Sequence, residues 1–264
     1  MLELIIRQSE GQAKPTPLLF VHGAWHAAWC WDEHFLPYFA QQGYTCYALS
    51  LRGHGNSPGR ERLRWTRVAE YVADVAHVVA QLPSPPVIIG HSMGGFVVQK
   101  YLEQYAAAGL ILLASVPPTG VLPTTLRIAR NHPLAFLQVN LRLSLAPLIT
   151  TPQLTRTHFF SATMPEEQVN AYHARLQDES YLGFLDFLVL NLVKHKRVQR
   201  VPTLVLGAQN DTIFLPHEVA RTAQTYGTTA KIFADMAHDM MLEPGWPAVA
   251  AHMLHWLDET MRGK

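Results

Sequence analysis

Two stretches of this sequence, Val87-Ile88-Ile89 and Leu110-Ile111-Leu112-Leu113, are apolar at every position rather than at every second one. A strand with one wet face alternates, so an unbroken apolar strand must be covered on both faces. Amphipathic segments lie between such runs. In Arg67–Leu82, Val68, Val72, Val75 and Val79 recur at spacings of four, three and four, the period of a helix. Short strands alternating with helices build βαβ units, hence an α/β fold with a mostly parallel central sheet flanked by helices. Strands are expected at Leu2–Arg7, Leu18–His22, Thr45–Leu49, Val87–Gly90, Leu110–Ala114, Thr203–Gly207 and Ala230–Phe233, with a last helix over Pro247–Met261. From Pro117 to Arg200 helical patterns continue without a convincing strand. The expected organisation is a core of residues 1–116 and 201–264 with a helical cap inserted over 117–200.

Composition removes several classes of function. Of 264 residues 48% are hydrophobic, enough for a large core and too many for a disordered chain. The 21 Lys+Arg against 20 Asp+Glu leave no basic excess to neutralise phosphates, so no nucleic-acid partner is expected. Cys30 and Cys46 are too few for a disulfide framework and read as buried, reduced thiols. Met1–Gln12 carries Glu3, Arg7 and Glu10 around a short apolar run, unlike a signal peptide or a membrane span, and the expected location is cytoplasmic. The run Lys194-His195-Lys196-Arg197 reads as a solvated helix end.

The strongest chemical signal is Gly90-His91-Ser92-Met93-Gly94-Gly95. It satisfies G-x-S-x-G, follows an expected buried strand and opens an expected helix, the context of a nucleophile elbow. Glycines at 90 and 94 leave out Cβ atoms that so tight a turn has no room for. A serine hydroxyl is a weak nucleophile and needs a base, itself oriented by an acid. Among the histidines after the cap, His217, His252 and His255 fall at or within expected helices, whereas His238 sits in a loop after a strand. Asp211 follows the Thr203–Gly207 strand. The order Ser92, Asp211, His238 is the one elbow serines use in this kind of sheet. Asp235 is the rival acid, with a solvated loop charge as its expected role.

Four separated motifs make the chain resemble the α/β-hydrolase superfamily over nearly its full length: His22-Gly23-Ala24-Trp25 after an early strand, the elbow, the Asp211 loop and the His238 loop. The resemblance implies an oxyanion hole made by the backbone N–H groups of Ala24 and Met93, with His22 supporting its loop. Each such donor contributes about 2.7–4 kcal/mol to acyl transfer. Leu49–Ser57 resembles the family's D-x-R-G-x-G-x-S loop, but Ser50 replaces the common Asp. A serine nucleophile points away from the carboxylate-using dehalogenases and epoxide hydrolases of the fold. Asp239 stands where hydroxynitrile lyases place Lys, which argues against cyanohydrin chemistry. His22 and His26 straddle a glycine loop and make a poor zinc pair, so neither metal nor cofactor is expected.

The reading that follows is a serine carboxylesterase acting on small-molecule esters with an apolar acyl or alcohol part. Lipase or lysophospholipase, C–C bond hydrolase and perhydrolase activities of the same fold stay open, as does a small-molecule receptor that retains the triad. Trp25, Phe136, Phe184 and Phe187 are the candidate pocket residues. Oligomeric state is not legible.

Overall fold

A computed structural model describes residues 1–261. Seven strands form one sheet: β1 (Leu4–Arg7), β2 (Leu18–Val21), β3 (Cys46–Leu49), β4 (Val87–His91), β5 (Gly109–Leu113), β6 (Thr203–Ala208) and β7 (Ala230–Phe233). Their order is β1-β3-β2-β4-β5-β6-β7, with only β1 antiparallel to its neighbour among the described residues. Every residue of β2, β4 and β5 is buried, as strands covered on both faces must be. Helices α1 (Trp29–Asp32), α2 (Phe35–Gln41), α3 (Val68–Val79) and α4 (Ser92–Tyr101) precede or separate the early strands.

Between β5 and β6 the chain runs through α5 (Leu122–Asn131), α6 (Pro133–Arg142), α7 (Pro152–Phe159), α8 (Glu166–His173), α9 (Tyr181–Leu185) and a π-type turn, Asp186–Leu190. This excursion is tied back to the sheet body. The buried Asp186 carboxylate accepts from Arg67 Nε at 2.9 Å and from the Val68 N–H at 3.0 Å, at the start of α3. After β6 come α10 (Pro216–Thr225), then β7 and the closing α11 (Trp246–Met261). Among the described residues no helix is long and apolar enough to cross a membrane.

Two local readings need adjustment. The first strand begins at Leu4, because Glu3 has a different task. Ser50 Oγ accepts from the Ala28 N–H at 2.9 Å and donates to Glu3 Oε2 at 2.5 Å, and the same carboxylate takes the Asn56 N–H at 3.1 Å. The carboxylate missing from position 50 thus comes from the residue preceding β1. Lys194–Arg197 is exposed, as expected of solvated charge, but it forms a turn and not a helix end, since helical winding stops at Leu190. Cys30 and Cys46 are free and buried, and burial raises both thiol pKa values.

Candidate active site

The site lies where parallel strands present their carboxyl ends, the usual place for ligands on such sheets. Ala24 follows β2, Ser92 follows β4, Asp211 follows β6 and His238 follows β7. β4 passes into α4 with no loop between them, which forces Ser92 to a φ of 50°. A non-glycine residue held in that region costs about 1–3 kcal/mol, and the packing around the turn enforces it. A Cβ on Gly94 would lie 2.4 Å from the carbonyl oxygens of Val21 and His22, and one on Gly90 would lie 2.7 Å from Gly95 Cα. The elbow therefore presses directly on the end of β2. Trp25, in the next loop, is also left-handed, with a φ of 65°.

Asp211 and His238 are both buried and joined by a 2.8 Å hydrogen bond from His238 Nδ1 to Asp211 Oδ2. The other carboxylate oxygen accepts the N–H groups of Ile213 at 2.7 Å and Phe214 at 3.0 Å. Holding Nδ1 as the donor leaves Nε2 as the acceptor nitrogen of a neutral ring. The His238 ring packs among His91, Phe214 and Phe159, with centroids 4.7, 5.5 and 6.1 Å away. No hydrogen bond joins Ser92 to His238 among the described residues; such bonds commonly tighten only around substrate. Asp235, the rival acid, is exposed in a turn at a φ of 54°.

Ala24, Ser92 and Met93 share the wall of one cavity of about 740 Å³, its open mouth included. All four candidate pocket residues, Trp25, Phe136, Phe184 and Phe187, line it too. One wall residue escaped sequence reasoning. Among the described residues His158, near the end of α7, is the only imidazole in the wall, and burial, then His132 and His238, lower its pKa to about 4. Its ring is neutral at pH 7. Nothing in a helical pattern marks that histidine as facing a cavity.

Three further buried histidines surround the site, each in a defined state. His22 Nδ1 donates to the Gly23 carbonyl at 2.8 Å while Nε2 accepts the Leu51 N–H at 3.0 Å, so the ring is neutral and braces the loop. Burial, with His54 nearby, pushes its pKa well below the ordinary value. His91 donates from Nε2 to the His238 carbonyl at 3.0 Å, and burial, then His238, push its pKa down to about 3. His26 is no partner of His22 in a metal pair; its Nε2 lies 3.0 Å from Asp239 Oδ2, both groups fully enclosed. Ligating atoms of His91, His238 and Asp239 come within 4.8 Å of one another, but these side chains already engage the His238 carbonyl, Asp211 and His26. Sequence reasoning missed the His26–Asp239 pair, although both residues adjoin motifs it had found.

A sequence profile described as "Alpha/beta hydrolase family" matches residues 18–251. The chain belongs to the alpha/beta hydrolase family. Among curated proteins it is similar to a pyrethroid hydrolase of Sphingobium wenxiniae, 29% identical over 132 residues, which are 47% of this chain and 46% of that one. A monoacylglycerol lipase of Mycolicibacterium smegmatis is 31% identical over 107 residues, 37% of this chain and 38% of that one. The match spans less than half the length of these relatives. Among solved structures, a monoacylglycerol lipase of Paleococcus ferrophilus superposes with a TM-score of 0.73 at 21% identity, covering 98% of this chain and 99% of that one. At that identity the likeness is one of fold.

Proposed function

We propose that this alpha/beta hydrolase family member is a serine carboxylesterase for small esters with an apolar acyl or alcohol part. The observation that carries this reading is a strained elbow serine opening, beside an Asp211–His238 pair, into an almost wholly apolar cavity. The esterase and lipase names of its relatives are consistent with it. Ser92 Oγ attacks the ester carbonyl carbon and passes its proton to His238 Nε2. Asp211 holds Nδ1–H and stabilises the imidazolium that forms. The N–H groups of Ala24 and Met93 take up the charge on the carbonyl oxygen. His238 then protonates the departing alcohol oxygen, leaving an acyl group on Ser92. A water deprotonated by the same nitrogen attacks that acyl group, and the acid is released. Residues 117–200 act as the cap, and their apolar side chains select the acyl or alcohol chain.

A series of p-nitrophenyl esters from acetate to palmitate tests the reading. The expected result is multiple turnover with a definite preferred length, and loss of about 10⁴–10⁶ in kcat in Ser92→Ala with the fold intact. A single burst without turnover would mark a receptor that retains the triad, and near wild-type turnover in Ser92→Ala would overturn the nucleophile.

A further inference from the structure

His26 and Asp239 have no part in the chemistry just described, yet they join its two halves. His26 Nδ1 lies 2.8 Å from the carbonyl oxygen of Ala24, the residue whose N–H is assigned to the oxyanion. Its Nε2 lies 3.0 Å from Oδ2 of Asp239, the residue that follows His238. The carbonyl accepts from Nδ1–H, and Nε2 faces a carboxylate oxygen at ion-pair distance without the alignment of a hydrogen bond, a contact that attracts when His26 is an imidazolium. The pair is almost completely enclosed, with side-chain exposures of 1% and 0%. The Asp239 main chain is fixed as well: its N–H donates to the Phe159 carbonyl at 3.0 Å, and its carbonyl accepts from Leu242 at 2.7 Å. On the far side, His91 Nε2 sits 3.7 Å from Asp239 Oδ1 while donating to the His238 carbonyl.

We propose that His26 and Asp239 are a positioning pair, an electrostatic tie that sets the Ala24 N–H against the His238 ring. The proposal rests on the acyl-transfer reading of Ser92, His238 and Ala24. A buried ion pair is weak support for stability, because apolar residues of similar volume often replace one without loss. Geometry is what this one supplies, since it links the loop after β2 to the loop after β7. Misplacing a reacting group by about 1 Å can cost roughly 10²-fold in rate.

The groups around the pair define its pH range. His26 faces Asp239, with His22 and His91 close by; Asp239 faces His26, His91 and His238, with Cys30, Tyr172 and Glu243 around it. Burial alone would lower the pKa of His26, but Asp239 and the Ala24 carbonyl together outweigh it and hold that pKa above the ordinary histidine value. Burial alone would raise that of Asp239, and His26, then His91 and His238, hold it below the ordinary carboxylate value. The tie is therefore lost as pH rises through the elevated pKa of His26.

Asp239→Asn and His26→Gln remove the charges with little change of shape. Each should lower kcat for the best p-nitrophenyl ester by about 10- to 100-fold with KM within about twofold, and the double variant should be no worse than the worse single one, as for residues acting as a unit. In the wild type, the alkaline fall of kcat should coincide with loss of the His26 imidazolium, followed by NMR of protein carrying 15N-histidine, and Asp239→Asn should move both to lower pH. Folded variants with unchanged kcat and a lowered melting temperature would make the pair structural only and overturn the proposal. If neither variant folds, the wild-type titration decides: a His26 ring neutral at pH 7, or one that titrates with no change in kcat, overturns it equally. A wild type that neither hydrolyses esters nor reacts at Ser92 with a fluorophosphonate would sink the acyl-transfer reading and the positioning role together. Normal wild-type turnover with unimpaired variants would sink the positioning role alone.

Discussion

Each oxygen of the Asp211 carboxylate has its own task, one anchoring to the N–H groups of Ile213 and Phe214 and the other holding His238 Nδ1. Asp211→Asn keeps that shape but can set an amide N–H against His238, forcing the proton onto the nitrogen that accepts from Ser92 in the proposed mechanism. A fall in kcat of about 10⁴-fold is expected, with KM little changed. Asp235→Asn, in an exposed turn, should stay within about twofold. Exchange of these phenotypes in steady-state assays would make Asp235 the acid. Ser92, Asp211 and His238 were legible because each follows a recognisable apolar strand in an order that few chemistries use. His26 and Asp239 were not, because their meaning lies in a contact between residues from opposite ends of the chain, which no local pattern encodes. The left-handed backbone of Trp25 was equally hidden, since tryptophan does not announce a positive φ as glycine does.

Helices α5, α6 and α9 each contribute to the cavity wall, through Ile128, Phe136 and Phe184 respectively. Each methylene of substrate accepted there adds about 0.8 kcal/mol, roughly a fourfold gain in kcat/KM until the space is filled. Phe136 is only partly buried, so Phe136→Ala should lengthen the preferred acyl chain with a small change in melting temperature. Phe184 packs against Phe187 and Tyr181, and Phe184→Ala should shift the profile and also cost stability, about 3–5 kcal/mol at most. If both variants keep the wild-type chain-length profile, the cap does not set specificity. All seven strands were legible at this scale, the central ones from their unbroken apolar runs. The reversed direction of β1 was not: four residues with two half-buried and two exposed specify a strand, while its pairing against β3 is decided elsewhere.

Across the whole molecule, three buried neutral imidazoles make stability depend on pH. His22, His91 and His158 take up a proton near pH 6.5 in the unfolded chain, whereas in the folded chain burial holds all three pKa values lower, to about 3 for His91 and about 4 for His158. The unfolded state therefore binds more protons as pH falls below about 6.5, and each group removes up to about 1.4 kcal/mol per pH unit. The melting temperature should fall steeply between pH 6.5 and 4.5, and a flat profile would show that these rings are not buried and neutral. A different long-range dependence arises from Glu3, which reaches from the edge of the sheet to hold Ser50 and Asn56. Positions 3 and 50 are consequently not free to drift apart: relatives with Asp at position 50 should lack an acidic residue at position 3, and the two should covary in any sufficiently large family alignment. Ser50→Asp alone would set two carboxylates against each other and lower the melting temperature, whereas adding Glu3→Gln should recover most of the loss. The entry to the edge strand, ordinarily the most replaceable part of a sheet, is here tied to the loop that leaves the neighbouring strand directly opposite it.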